Sequence, residues 1–253
     1  MTTVGDETHG ARASADRFFA SPLRDYAHAA LVGRVNVLQA GCLAPLRELG
    51  IGELAEAGYE VSVCVVDADD PLTREVLDQT GAAYDEVIVG DLRTVPLSPR
   101  RFDVVYCGRL LERVPHVELV LDRLVGALRP GGLLLIRVTD RESSWAVLDR
   151  VLPSAVRRAI WRRLYPGVPG PFLAVHEKAT ADQGIASYAL MRGLVIAQRT
   201  TEWTLPASPQ RLSASVRRAC AAVTWLTRGH FANDHNDLLY VIRKPEDRFA
   251  RVV

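Results

Sequence analysis

The sequence predicts an α/β protein built on an open, doubly wound, mostly parallel sheet with a helical cap. Two patterns carry that prediction. Residues 102–138 read as strand, helix, strand: the runs 104–107 and 133–138 are nearly all apolar, as in strands buried on both faces, and Val117, Val120, Leu121, Leu124 and Leu128 fall between them at helical spacing. Upstream, three more short apolar runs, 35–38, 60–66 and 87–89, alternate with helical stretches at 46–57 and 72–80, the order expected of parallel strands joined by crossovers.

Taken in order, residues 1–15 are small and polar and are expected to be disordered, with the folded domain running from 16 to 253. Residues 15–31 form a helical pattern on Phe18, Phe19, Leu23 and Tyr26. Strand one, 35–38, leads into the turn Gln39-Ala40-Gly41-Cys42, and the helix after it is interrupted by Gly50 and Gly52. Strand two, 60–66, runs into Asp67-Ala68-Asp69-Asp70, and the helix over 72–80 stops at Gly81. Strand three ends at Gly90-Asp91. In the stretch after strand four, Pro130-Gly131-Gly132 is expected to stop the helix before strand five. Beyond strand five lie an Arg-rich helical region at 143–165, a Pro/Gly break at 166–171, a helix over 182–192, a strand-like segment at 194–205, a helix over 208–227 and a last strand at 238–242. Segments 143–193 and 205–237 read as cap and insertion segments of one domain.

With 253 residues, 48% of them hydrophobic, the chain can bury a large core, and its net charge of +1 gives no electrostatic case for nucleic acid. Arginine is used in place of lysine almost throughout, with Lys178 and Lys244 the two lysines, which points to the codon bias of a GC-rich, perhaps actinobacterial, genome and not to a binding signal. Cys42, Cys64, Cys107 and Cys220 have no metal-type spacing and read as small apolar residues in a reducing cytosol. No signal-peptide core and no membrane-length apolar run is present, so a cytoplasmic location is expected.

The segment 102–138, FDVV at strand four, Leu111-Glu112 before a helix, then RPGGLLLI, resembles the class I S-adenosylmethionine-dependent methyltransferases that act on small molecules. The resemblance implies a seven-stranded Rossmann-like sheet whose last strand runs antiparallel. It implies S-adenosylmethionine as cofactor, held by Gln39, Gly41 and Cys42 after strand one, Asp67 and Ala68 after strand two, Gly90, Asp91 and Leu92 after strand three, and Cys107 and Gly108 after strand four. Within that set Asp67 is the expected ribose ligand and Asp91 the adenine-amine acceptor. As a bare sequence feature Asp67 could instead cap the next helix, a role that Asp69 or Asp70 suits better, and Asp91 could simply open a loop. The chain departs from the family pattern in three places. Gln39 stands for the usual acid, Leu43 and Pro45 replace glycines of the cradle, and Arg113 stands where a histidine often follows the Leu-Glu pair.

The expected activity is methyl transfer to a small molecule, most simply to a hydroxyl of a natural product, sugar or lipid-linked intermediate, in secondary metabolism. The alternative is a methyltransferase-like partner, or a lyase- or cyclase-like relative, that has lost methyl transfer. A nicotinamide oxidoreductase is weaker, because G-x-G-x-x-G is absent. His116, after Pro115 at the mouth of strand four, is the candidate base, weighed against a surface loop residue; His176 and Asp140 are less placed, and His230 and His235 beside Asp234 and Asp237 read as a polar loop with no metal. Residues 151–165 put Arg157, Arg158, Arg162 and Arg163 beside Val156, Ile160, Trp161 and Leu164, either a cap helix or a peripheral membrane contact. The apolar stripe on Leu212, Val216, Ala219, Val223 and Leu226 either seals the substrate cavity or meets a second copy in a homodimer.

Overall fold

The computed structural model describes residues 7–30, 33–172, 175–204 and 210–246, apart from the side chains of 7–17, 82 and 210–212. Among them, β1 (Arg34–Ala40), β2 (Glu60–Asp67), β3 (Glu86–Val89), β4 (Phe102–Gly108), β5 (Leu128–Thr139), β6 (Val195–Glu202) and β7 (Asp237–Arg243) form one seven-stranded sheet in the order β3-β2-β1-β4-β5-β7-β6. β7 is antiparallel to both β5 and β6, and the other pairings are parallel. β1 lies beside β4, so the strand order reverses between them. In open α/β sheets, that reversal opens a crevice at the carboxyl ends of the strands.

Side chains alternate across each strand and divide the core in two. On one face Leu38, Val66, Val105, Cys107, Ile136 and Tyr240 pack under α4 (Val117–Ala127) and α7 (Asp182–Met191). On the other, Val37, Val104, Tyr106, Leu135 and Leu239 pack against α1 (Glu7–Ala30), the 3-10 turn Leu46–Leu49 and α2 (Ile51–Glu56). Burial of one such aliphatic or aromatic side chain is worth about 2 kcal/mol, and the two faces together hold the sheet flat between layers.

Local chemistry sets the helix starts. α3 (Pro71–Thr80) begins at Asp70, whose carboxylate accepts from the Thr73 amide at 2.9 Å, with Pro71 in the first turn. Asp69 is held instead by Arg74. Neither cap uses Asp67, as the sequence reading expected. α5 (Ser144–Val151) starts on the Ser143 hydroxyl, and the Leu152-Pro153 step separates it from α6 (Ser154–Leu164). α8 (Gln210–Leu226) precedes β7.

Several expectations are corrected. α1 begins at Glu7, so 7–15, expected to be disordered, is helical; residues 1–6 lie outside the described residues. Pro130-Gly131-Gly132 does not end α4. The chain turns extended at Leu128 (ψ 137), and all three residues lie within β5, whose pairing with β4 shifts register between Phe102 and Val104. The long helix expected over 143–165 is two helices, because Pro153 has no amide to continue the ladder. The α8 stripe is only partly buried: Val216 and Cys220 face inward, while Leu226 is 70% and Trp225 79% exposed. Residues 205–209, the start of the expected insertion, lie outside the described residues.

One buried carboxylate pins three strands of the sheet to the helix above them. Asp103 of β4 is fully buried and accepts from the Asn36 amide (2.8 Å) and side chain, the Tyr26 hydroxyl of α1 and the Arg129 guanidinium of β5. Burial beside this carboxylate pushes the Tyr26 phenol up to about 12. Asp103→Ala strands those donors and should cost about 3 kcal/mol in urea-unfolding free energy. A loss under about 0.5 kcal/mol would remove Asp103 from the account of the fold.

Candidate functional site

The crevice at the β1/β4 reversal is built by the turn after β1. Gly41 has φ +96, where a Cβ would also lie 2.7 Å from the Gly108 carbonyl oxygen, so only glycine sits there without strain. Its amide donates to the Val66 carbonyl at 2.9 Å, which bends the chain over the end of β2. Gln39 is buried and its amide nitrogen donates to the carbonyls of Gly41 (2.9 Å) and Ala44 (2.8 Å), while its Oε1 has no partner. The side chain therefore shapes the turn from within. At Gly108 a Cβ would lie 2.3 Å from that of Ala44: the turn is packed down onto the end of β4.

Asp67 ends β2 with no exposed surface. Its Oδ1 accepts from the Ala68 amide at 2.7 Å, and its Oδ2 accepts from the Cys42 amide at 2.8 Å and from Arg113 Nη2 at 2.5 Å. Arg113 is itself buried; its Nε donates to the Arg109 carbonyl at 3.1 Å, and its guanidinium lies 4.6 Å from the ring centroid of Phe172. Phe172 comes from the segment after α6 and packs with Leu43 onto the Cys42, Val65 and Val76 cluster.

The other sequence-predicted residues divide. Ala68 and Leu92 pack on the core beside this site, and the Gly90 amide donates to the Asp67 carbonyl at 3.1 Å. Asp91 is exposed and bound to the amide and guanidinium of Arg93, which hold its carboxyl down at about 2. Its carboxylate closes the local turn onto Arg93. Cys107 is buried inside the sheet, and burial pushes its thiol well above the usual range. Cys42 is buried beside Asp67, with its thiol pushed up likewise by burial first and by Asp67 second. His116 is exposed in a left-handed conformation (φ 57) at the start of α4, where its main chain serves as cap; the Glu177 carboxylate accepts from the His116 and Val117 amides at 2.7 and 3.0 Å.

Residues 42–136 match the family model of the methyltransferase domain. No curated protein sequence matches the chain. Among solved structures, a protein described as a sarcosine dimethylglycine methyltransferase from Galdieria sulphuraria superposes with a TM-score of 0.52 at 16% identity, over 94% of this chain and 88% of that one. An S-adenosylmethionine-dependent methyltransferase from Mesorhizobium loti superposes with a TM-score of 0.50 at 18% identity, over 88% of this chain and 96% of that one. The chain has the class I methyltransferase fold. The stretch that matches the methyltransferase-domain model holds Cys42, Asp67 and Arg113 of the crevice just described, and the donor set there suits the nucleoside of S-adenosylmethionine: a carboxylate at the end of β2 for a ribose diol and a glycine turn for close approach. The space above Asp67 is taken by Arg113 and Phe172, so the fit requires that pair to withdraw.

Beside the crevice, this methyltransferase fold buries a second set of charges that the sequence did not reveal. Arg137 of β5 is bound to Glu48 and, at 3.1 Å, to Asp237 of β7, and its Nη2 donates to Thr204 Oγ1. Arg109 also reaches Asp237, at 2.5 Å, and the Tyr106 hydroxyl donates to Glu48 at 2.5 Å. Burial, then Glu48, pushes the Tyr106 phenol up; burial raises the Glu112 carboxyl. An arginine within an apolar run was the one available signal. Arg137→Ala leaves buried Glu48 without its cation and Asp237 with Arg109 alone, and should cost about 3–5 kcal/mol in urea unfolding; a near-neutral result would show the network to be dispensable.

A cavity of about 490 Å³ opens at the ends of β5, β6 and β7, lined by Asp140, Glu142, Asp182, Arg199, Thr201 and His235 among others. His235 Nε2 lies 3.0 Å from Asp140 Oδ2 and its Nδ1 lies 2.7 Å from Asp234 Oδ1. Asp140 is thus brought to His235, while His176 is bound to Asp149 at 3.2 Å elsewhere in the cap. Among the described residues no group of three such side chains could hold a metal ion, and no helix is long and apolar enough to cross a membrane. The hydrogen bond to Asp140, helped by the contact with Asp234 and opposed by burial, raises the His235 pKa above its ordinary value. A raised folded-state pKa adds stability that is full below the ordinary histidine value and is lost as pH rises through the raised one. The stability gap between wild type and His235→Gln should therefore be widest below about pH 6.5 and shrink above it; a gap independent of pH would contradict the pairing.

Proposed function

We propose that the protein transfers a methyl group from S-adenosylmethionine to a hydroxyl of a small polar molecule, such as a natural product, a sugar or a lipid-linked intermediate. The observation that carries the cofactor reading is Asp67, a carboxylate at the end of β2 beside the strand reversal and not spent on a helix cap. Asp67 would accept the ribose hydroxyls, the main chain at Gly41 would lie against the methionine part, and Asp91 would reach the adenine amine. The bound cofactor supplies a methyl group on a cationic sulfur, open to attack by a nucleophile.

The polar cavity beyond β5 supports a hydroxylated acceptor. Its acids and threonines offer acceptors and donors to a polyol, and Asp140 directly follows β5, the strand next to β4. Alignment of the acceptor against the methyl group is the main contribution asked of these side chains. Exposed Arg158, Arg162 and Arg163 of α6, with exposed Val151 and Val156 nearby in sequence, support contact with an anionic membrane surface, where a lipid-linked acceptor would be met. Trp161 and Leu164 do not join that surface, since Trp161 stacks on Tyr165 and Leu164 is buried. A second reading, a methyltransferase-like chain without transfer, is favoured by the guanidinium already on Asp67.

Calorimetric titration with S-adenosylhomocysteine tests the proposal. Binding should be measurable, and Asp67→Ala should weaken it about a hundredfold, the value of two good charge-assisted hydrogen bonds. Preference for a dinucleotide over S-adenosylhomocysteine would sink it.

A further inference from the structure

We propose that Arg113 sets the affinity for the cofactor by competing with its ribose for Asp67, and that Phe172 moves with it as the second half of a latch. The inference rests on the methyltransferase reading above and concerns the control of that same site. Three observations carry it. First, the carboxylate is closed off: Oδ2 accepts twice and Oδ1 once, and neither Asp67 (0% exposed) nor Arg113 (5%) meets solvent. A ribose diol can engage both oxygens only in exchange for the guanidinium on Oδ2. Second, Phe172 covers the guanidinium at 4.6 Å and sits on the Cys42–Leu43 turn, so that a single group bars both the ribose position and the turn beside it.

Third, the two halves are mechanically joined. The Val175 and His176 amides both donate to the carbonyl of Glu112, at 2.8 and 3.0 Å, immediately before Arg113. The strap is tied further by Arg157 to the Phe172 carbonyl (2.7 Å), by Arg141 to the His176 carbonyl (2.5 Å) and by Glu177 to the start of α4. Displacing Arg113 from Asp67 shifts the segment that holds Val175 and His176, and lifting Phe172 bares Arg113 to water. Once free, the guanidinium has solvent to pair with, whereas Asp67 needs a replacement donor; ribose hydroxyls are such donors.

The experiment compares S-adenosylhomocysteine binding by wild type, Arg113→His, Arg113→Ala and Phe172→Ala, each checked by melting temperature for a folded chain. Arg113→His keeps a cationic or donor ring at the position but is shorter and lacks the fork that fills the ribose position. The expected result is at least tenfold tighter binding by Arg113→His and Phe172→Ala than by wild type. In wild type, saturation with S-adenosylhomocysteine should also speed hydrogen exchange at the Val175 and His176 amides as the strap lifts. Micromolar wild-type binding that neither substitution improves, with exchange unchanged, overturns the latch and leaves the methyltransferase reading standing. Folded variants that bind no S-adenosylhomocysteine at all, including the Arg113→His, Phe172→Ala double variant, overturn both.

Discussion

The carboxylate of Asp67 is the point on which the carboxyl edge of the sheet depends. It closes β2, receives the amides of Cys42 and Ala68, and holds Arg113 from the segment after β4. One anion thus fixes the turn after β1, the end of β2 and the approach to α4 at once. A fully buried carboxylate is tolerable only with its lone pairs occupied and a cation in contact, because desolvation of an isolated charge costs several kcal/mol. Each neighbour that satisfies Asp67 is therefore held there until another donor replaces it. The closed crevice follows from the same requirement: a buried acid at this position recruits a donor from the chain when no ligand supplies one.

The turn after β1 shows how the loss of two glycines is absorbed. With Leu43 and Pro45 in place, the turn lies against β4, where Gly108 leaves room for Ala44. Gln39 ties the turn from inside, with one amide donating to two carbonyls. The negative charge expected at that position reappears elsewhere, at Glu48, paired with Arg137 and Tyr106. The buried charges of the two faces meet around the strand reversal: Arg113 holds the Asp67 side, and Arg109 and Arg137 hold the Asp237 side. Arg109 links the two, since its carbonyl accepts from Arg113 and its guanidinium reaches Asp237.

The central strands were legible in the sequence because each is a short apolar run that suits a two-sided core; 35–38, 60–66 and 104–107 all lie within strands of the sheet. Asp70 as the cap of α3, and with it the release of Asp67 for other use, was also legible, because capping chemistry is local. What escaped is non-local. Pro130-Gly131-Gly132 looks like a helix stop, yet it lies inside β5, where the register shift against β4 absorbs it. Arg137 gave no hint of its partners, which come from positions 48, 204 and 237. Arg113 was read as a departure from a family pattern, but no spacing rule connects it to Asp67, 46 residues away, or to Phe172.

Cofactor binding in such a site is an exchange reaction, and this changes what its affinity measures. In an open crevice the ligand's hydrogen bonds to the acid replace water. Here they replace a guanidinium that already satisfies Asp67 at 2.5 Å, together with its contact with Phe172. The net free energy is the difference between two well-made sets of interactions, each far larger than the difference. A small bias on either set, such as a membrane surface drawing the arginines of α6 or an acceptor filling the cavity beside Asp140, shifts the balance by as much as its preference for the open state. The residues best placed to carry such a bias are Phe172 and Glu177, the first tied to α6 through Arg157 and the second to the start of α4.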